Sequence, residues 1–365
     1  MARSGLDRPR VTRYACRVRI TLALALSLAA SGAHARKLNV KDLVKTFESA
    51  KTDERVRMAP TLGRLKDKKT TEALIKALDV KRGNPRESAA FVDALGVTGD
   101  PRAVEPLATG WDYLRSMILQ MGELPGNLQV LRWKILEALS RIGGEQAVRI
   151  LSESLNETDP RVVEEAVRGL GRLQIRDATP ALQQLAGSAH GNLMQAILEA
   201  MGDIGDKRAA STLEQATSSP DRFIQVEASY GLAKLGRKEA VLRLQAFLEG
   251  DPGEGKVGLL AAYYLVKLDN DTGLRHLEEM MKTPDAPLAP AAADALGKTD
   301  NPRAVMVLVE AFKAPDPGVR LAVARSLGRL RGGRAVSALK KLRSDSNPGV
   351  RSTAAGALMD LGEID

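Results

Sequence analysis

The chain has 365 residues, 44% of them hydrophobic, and a formal net charge of +9. That length and apolar content allow a large core, and aromatics at only 3% make it an aliphatic one. The single cysteine, Cys16, excludes an internal disulfide framework, so burial has to supply the stability.

The first element is a leader. Arg3, Arg8, Arg10, Arg13, Arg17 and Arg19 stand against one acid, Asp7, and an uncharged apolar run follows over residues 20–30. Ala33 and Ala35 then bracket His34. A basic region, a short apolar run and an Ala-x-Ala site together predict a secretory signal peptide over residues 1–35, cleaved near Ala35. A membrane-spanning helix needs about 20 apolar residues, more than this run offers. No Arg-Arg pair marks a twin-arginine signal, and Cys16 precedes the apolar run, which excludes it as a lipoprotein cysteine. The expected protein is therefore periplasmic or secreted, from a bacterium by its alanine and arginine usage, with no integral span in the mature chain. About half of the net charge leaves with the leader, which removes most of the case for a nucleic-acid footprint.

Residues 36–365 read as one domain of repeated units. Leu62, Leu95, Leu139, Leu170, Met201, Leu232, Leu265, Leu296, Leu327 and Leu358 recur at spacings of 33, 44, 31, 31, 31, 33, 31, 31 and 31 residues. Eleven positions before an anchor stand Asn84, Asp159, Asp221, Asp285, Asp316 and Asn347, side chains that cap a helix start. Pro85, Pro160, Pro317 and Pro348 follow them, where a missing N–H costs nothing. The residue before the anchor is mostly small, as at Ala94, Ala138, Gly169, Ala200, Gly231, Ala295, Ser326 and Ala357, which lets helices approach closely. Gly143, Gly205, Gly236 and Gly332 end this first helix.

A second helix follows in each unit. Ala103, Ala147, Ala178, Ala209, Ala240, Ala304 and Ala335 come eight residues past the anchor, and Leu74, Leu107, Leu151, Leu182, Leu213, Leu244, Leu277, Leu308 and Leu339 twelve past it. Alanine and leucine four apart share a helix face. A helix pair cannot bury its apolar stripe alone, but stacked pairs can, so the expected fold is all-α: a solenoid of about ten helix-turn-helix units.

The stretches Asp-Pro-x-Val-Arg at 316–320, Leu-Gly-x-Leu at 327–330 and Arg-Ala-Val-x-x-Leu at 334–339 resemble the short HEAT-like repeats of phycobilin lyases and many bacterial proteins. The resemblance covers nearly all of residues 40–365 and implies a scaffold, not a chemistry. The arginine of the Val-Arg pair is kept at Arg320 and Arg351 and replaced by Val163, Met194, Gln225 and Gly258 elsewhere, so an unbroken Asp–Arg ladder is not expected. HEAT-like hydroxylases of a lysine-derived side chain carry paired His-Glu motifs for two irons, and no His-Glu dipeptide occurs here. An exported chain would not meet the phycobiliproteins on which the lyases act.

Nothing else points to catalysis. His190 takes a helix-cap position, His276 precedes Leu277 on a second helix, and neither has a partner at metal-ligand spacing. There is no phosphate-binding glycine loop and no Gly-x-Ser-x-Gly. No cofactor or metal is expected.

The spacing of 44 marks an insertion over residues 110–127, holding Trp111, Tyr113, Met117, Ile118 and Met121, with Trp133 just beyond. An insertion in one repeat often lies on the binding face, and aromatic and methionine side chains suit recognition; a lengthened helix packed on its own stack is the alternative. Just after the repeated leucine, Glu214, Gln215, Glu278 and Glu279 form, with Glu153, Gln183, Gln184, Gln245 and Glu310, a polar strip. If second helices line the concave side, this strip meets the partner and would repel nucleic acid. The final units turn basic, with Arg329, Arg331, Arg334, Lys340, Lys341 and Arg343, a cluster that could touch anionic surfaces or serve as a solubilising cap. The expected function is an exported, non-enzymatic scaffold for another protein. A lyase-like enzyme or its regulatory subunit, and an envelope-associated protein held by the basic end, are the alternatives.

Overall fold

A computed structural model describes residues 40–250, 255–283, 287–299, 301–361 and 363. The leader, with Cys16, and the expected cap Asp285 lie outside the described residues. Among those residues the structure is all helix and turn. Helix α1 (Val40–Ser49) precedes ten units. Their first helices are α2 (Thr52–Leu65), α4 (Pro85–Thr98), α6 (Gly126–Ile142), α8 (Pro160–Arg172), α10 (Gly191–Ile204), α12 (Arg222–Lys234), α14 (Gly255–Lys267), α16 (Ala289–Leu296), α18 (Pro317–Leu330) and α20 (Pro348–Asp360). The second helices are α3 (Lys68–Ala77), α5 (Val104–Met121), α7 (Glu145–Ser154), α9 (Thr179–Ala186), α11 (Ala210–Ala216), α13 (Lys238–Ala246), α15 (Asp271–Lys282), α17 (Pro302–Ala311) and α19 (Gly333–Leu342).

The repeated residues do what their positions require. Asn84, Asp159, Asp221, Asp316 and Asn347 each accept a hydrogen bond from the backbone N–H two residues on, at 2.8–2.9 Å. Each cap removes an orphan donor and is worth about 1 kcal/mol. His190 occupies the cap position of α10 without a capping bond. All ten anchors, from Leu62 to Leu358, are buried, as are all nine second-helix leucines. Gly205 ends α10 at φ +67°, a conformation that a side chain would strain.

The small residues set the spacing of the stack. A Cβ on Gly63 would lie 2.6 Å from the Ala94 carbonyl, and one on Gly202 would lie 2.9 Å from the Gly231 Cα. First helices of successive units therefore touch backbone to backbone, whereas successive second helices lie farther apart. A stack with one row closer than the other bends toward the close row. The first helices thus form the inner face and the second helices the outer one, which corrects the expectation that second helices line the concave side. The Glu/Gln strip accordingly faces outward.

Buried side chains group into three clusters. One runs from Phe47 to Ala240, one from Ala262 to Leu358, and a small one between them holds Val226, Tyr230, Leu244, Val257, Ala261, Tyr264 and Leu265.

Candidate functional site on the inner face

Charged residues of the first helices, among them Asp93, Arg168, Glu199, Asp294 and Arg325 two positions before an anchor, pair across the stack. Lys134 on α6 meets Asp93 on α4. Arg168 on α8 pairs with Glu164 at 2.8 Å and with Glu199 on α10 at 3.3 Å. Arg325 on α18 reaches back to Asp294 on α16 at 2.8 Å. Pairs this exposed contribute little to stability, about 0–1 kcal/mol each. Their consequence is a face on which charge is fixed in place.

The regularity breaks once, between α12 and α14. The position before the anchor, small in most units, is Tyr264 on α14, and its ring stacks on that of Tyr230 from α12 at 4.1 Å and 17°. Tyr263 tilts against Tyr264 at 5.1 Å. The Lys267 ammonium lies 4.6 Å from the Tyr230 ring, 5.5 Å from Tyr264 and 5.7 Å from Tyr263. It also crosses α12 to reach Asp203 on α10 at 3.4 Å, with Glu199 at 3.9 Å. A cation over several rings gains about 0.5–2 kcal/mol according to its desolvation. The Tyr230 hydroxyl donates to Asp203 at 2.8 Å, and the Tyr264 hydroxyl donates to Glu227 at 2.5 Å.

Glu227 lies beneath this group and is 5% exposed. Burial pushes its carboxyl up to about 8, with the Glu199 charge adding to the shift and the Tyr264 hydroxyl, Lys267 and Arg168 opposing it. Burial also raises the hydroxyls of Tyr230 and Tyr264 above the usual tyrosine range, so both remain donors at neutral pH. Nearby, Glu165 is raised by burial and by the Glu137 charge. Half-buried Glu199, Asp203, Tyr263 and Lys267 thus converge on one patch of the inner face, over the buried rings of Tyr230 and Tyr264, with Arg168 at its edge. The groups are packed between helices α10, α12 and α14.

The residues singled out in the sequence lie elsewhere. The insertion is the far half of α5 and the turn into α6, and Arg115 ties it to Glu153 of α7 at 3.2 Å. Trp111 is 2% exposed and lies under the Arg132 guanidinium at 4.7 Å, so its ring is core and presents no surface to a partner. Tyr113 is half-buried beneath Lys81, and Met117 packs on the core. Trp133, also half-buried, donates from Nε1 to Asp159 at 3.1 Å, with Arg161 over its ring at 4.5 Å. Met121 is exposed, as is Leu119 beside it. Glu214 and Gln215 are exposed on α11, Glu214 pairing with Arg237 at 3.4 Å, while Glu278 pairs with Lys282 on α15 beside exposed Glu279. His276 is half-buried, and desolvation lowers its pKa.

The Arg320 guanidinium holds Asp345 through two hydrogen bonds at 2.7 and 2.9 Å, while Arg351 donates to the carbonyls of Asp345 and Ser346. The central seam had one sequence signal, unused: three of the five tyrosines fall at 230, 263 and 264, one of them where a small residue is the rule.

A family model described as HEAT repeats matches residues 151–229 and 288–359. Deoxyhypusine hydroxylase of Bos taurus is 28% identical over 194 residues, 52% of this chain and 57% of that protein, so the chain spans less than two thirds of this curated relative's length. Among solved structures, human deoxyhypusine hydroxylase in complex with glycerol aligns at 20% identity and a TM-score of 0.36, covering 72% of this chain and 99% of that one. The complex of CpcE and CpcF of phycocyanin lyase from a Nostoc species aligns at 18% identity and a TM-score of 0.34, covering 92% and 98%.

Proposed function

We infer the function from what the chain is, a HEAT-repeat protein: it is a non-catalytic scaffold that holds another protein against its inner face, outside the cytoplasm once residues 1–35 have been removed. The observation that carries this reading is the patch at Tyr263 and Lys267. Solenoids bind along extended curved surfaces, and tyrosine and arginine dominate the energetic centres of protein interfaces. Here the half-buried Tyr263 ring, Lys267 and Arg168 share one patch at the middle of such a surface, with the buried rings of Tyr230 and Tyr264 packed beneath them. Their side chains are held by ion pairs and ring contacts, so a partner would find them already ordered, which lowers the entropy lost on binding. The basic n-region, the apolar run and the Ala33-x-Ala35 site support export.

Site-specific photocrosslinking in native cells tests the reading. A photoreactive residue at Tyr263 should capture a discrete protein, one at Gln215 on the outer face should not, and Lys267→Glu should lower capture from the inner face. Equal capture from both faces, or capture indifferent to Lys267→Glu, would remove the inner-face assignment. N-terminal sequencing of the native protein should begin at Arg36; a start at Met1 would remove export.

A further inference from the structure

Near the C-terminal end, the second helices α17 and α19 leave a trough between them. It comprises two adjoining cavities of about 420 and 320 Å³ that share Gly333 and Arg334. Val305, Val309 and Phe312 form its apolar floor at helical spacing along one side of α17. Met306 beside them is half exposed, at 50%. The opposite wall is α19, whose Arg334, Ala338 and Lys341 follow the same i, i+4, i+7 rhythm, with Arg331 at its entrance.

The charge of this trough has one sign. No carboxylate lines either cavity. Arg331 and Arg334 have no ion-pair partner among the described residues, although Arg303, Arg320 and Arg325 close by are each paired with an aspartate. Lys341 lies over the Phe312 ring at 5.5 Å. Of the strip's acids, Glu278 and Glu279 belong to α15, and Glu310, although on α17, lines neither cavity and acts on Lys282 of α15.

We propose that this trough docks an acidic amphipathic helix from another protein. An apolar ridge of about two turns would lie on Val305, Val309 and Phe312, and flanking glutamates or aspartates would pair with Arg331, Arg334 and Lys341. The floor supplies apolar area at the spacing a helix presents. The rim supplies cations whose ion-pairing capacity no carboxylate of the described chain takes up, so charge selects the partner. The trough shares no residue with the patch at Tyr263 and Lys267 and does not depend on it.

The test uses the full chain and a fluorescein-labelled synthetic helix carrying leucines at i, i+4 and i+7 between glutamates. Anisotropy should show saturable binding that weakens with salt. Exchanging the peptide's glutamates for glutamine should weaken binding about tenfold, as should the double variant Arg334→Glu/Lys341→Glu. Met306→Asp should weaken it as well. All three altered side chains are exposed, and circular dichroism checks that the variants fold. Equal binding of the glutamate and glutamine peptides, or binding indifferent to the charge reversal, overturns the proposal. Salt-sensitive binding to phosphatidylglycerol vesicles that the double variant loses, without binding of the acidic helix, also overturns it and makes the trough a lipid-facing surface.

Discussion

A carboxyl group placed between two tyrosine-bearing helices makes stability depend on pH in an unusual direction. The proton of Glu227 is held in the folded protein up to about pH 8, against an ordinary glutamate value of 4.5. Between those two values the unfolded chain has released a proton that the folded chain keeps, so folded stability falls as pH rises. This contribution is full below about pH 4.5, declines by about 1.4 kcal/mol per pH unit across the window, and is flat above about pH 8. Glu227→Gln keeps an acceptor for the Tyr264 hydroxyl and removes the titration. In urea titrations the variant should match the parent near pH 4.5 and exceed it progressively as pH rises to 8, by up to about 5 kcal/mol. A parent-to-variant difference that stays constant from pH 4.5 to 8 would show that Glu227 is ionised in the fold.

At the scale of the helix, the stack is governed by how closely first helices can approach. Gly202 meets the Gly231 Cα, a backbone atom with no rotamer to yield, so Gly202→Ala has to push α10 and α12 apart. The expected loss is about 1–3 kcal/mol in chemical denaturation. Gly356 in α20 has nothing within 4 Å of its would-be Cβ, so Gly356→Ala should gain about 0.5–1 kcal/mol from helix propensity alone. The caps, anchors and second-helix leucines were legible in the sequence because each acts within its own helix pair and recurs. The inner and outer assignment was not, because it depends on the relative spacing of two rows, which no single unit encodes. The seam was not legible either: Asp203 and Lys267 lie 64 residues apart and meet only because α12 between them offers Tyr230 as a bridge. Trp111 misled because a long second helix buries an aromatic as readily as a binding loop exposes one.

For the whole molecule, a solenoid's stability is a chain of nearest-neighbour interfaces, and it parts at the weakest. The buried clusters mark that place. Two large cores, Phe47 to Ala240 and Ala262 to Leu358, are joined through seven residues around Tyr230 and Tyr264. At this seam close packing of small residues gives way to a tyrosine stack over a buried acid. Both tryptophans, Trp111 and Trp133, belong to the first core. Indole fluorescence therefore reports that block alone, while far-ultraviolet dichroism reports helices of both. If the seam divides the folding units, the two signals will not coincide in a urea titration, as two-state behaviour would require. Tyr264→Ala removes the stack and the bond to Glu227, at a cost of about 3–5 kcal/mol, and should separate the two midpoints further. Superimposable curves in the parent and in Tyr264→Ala would mean that the ten units unfold as one and that the seam is a local irregularity. Separated curves would make it the joint about which the inner face can change its curvature when a partner binds.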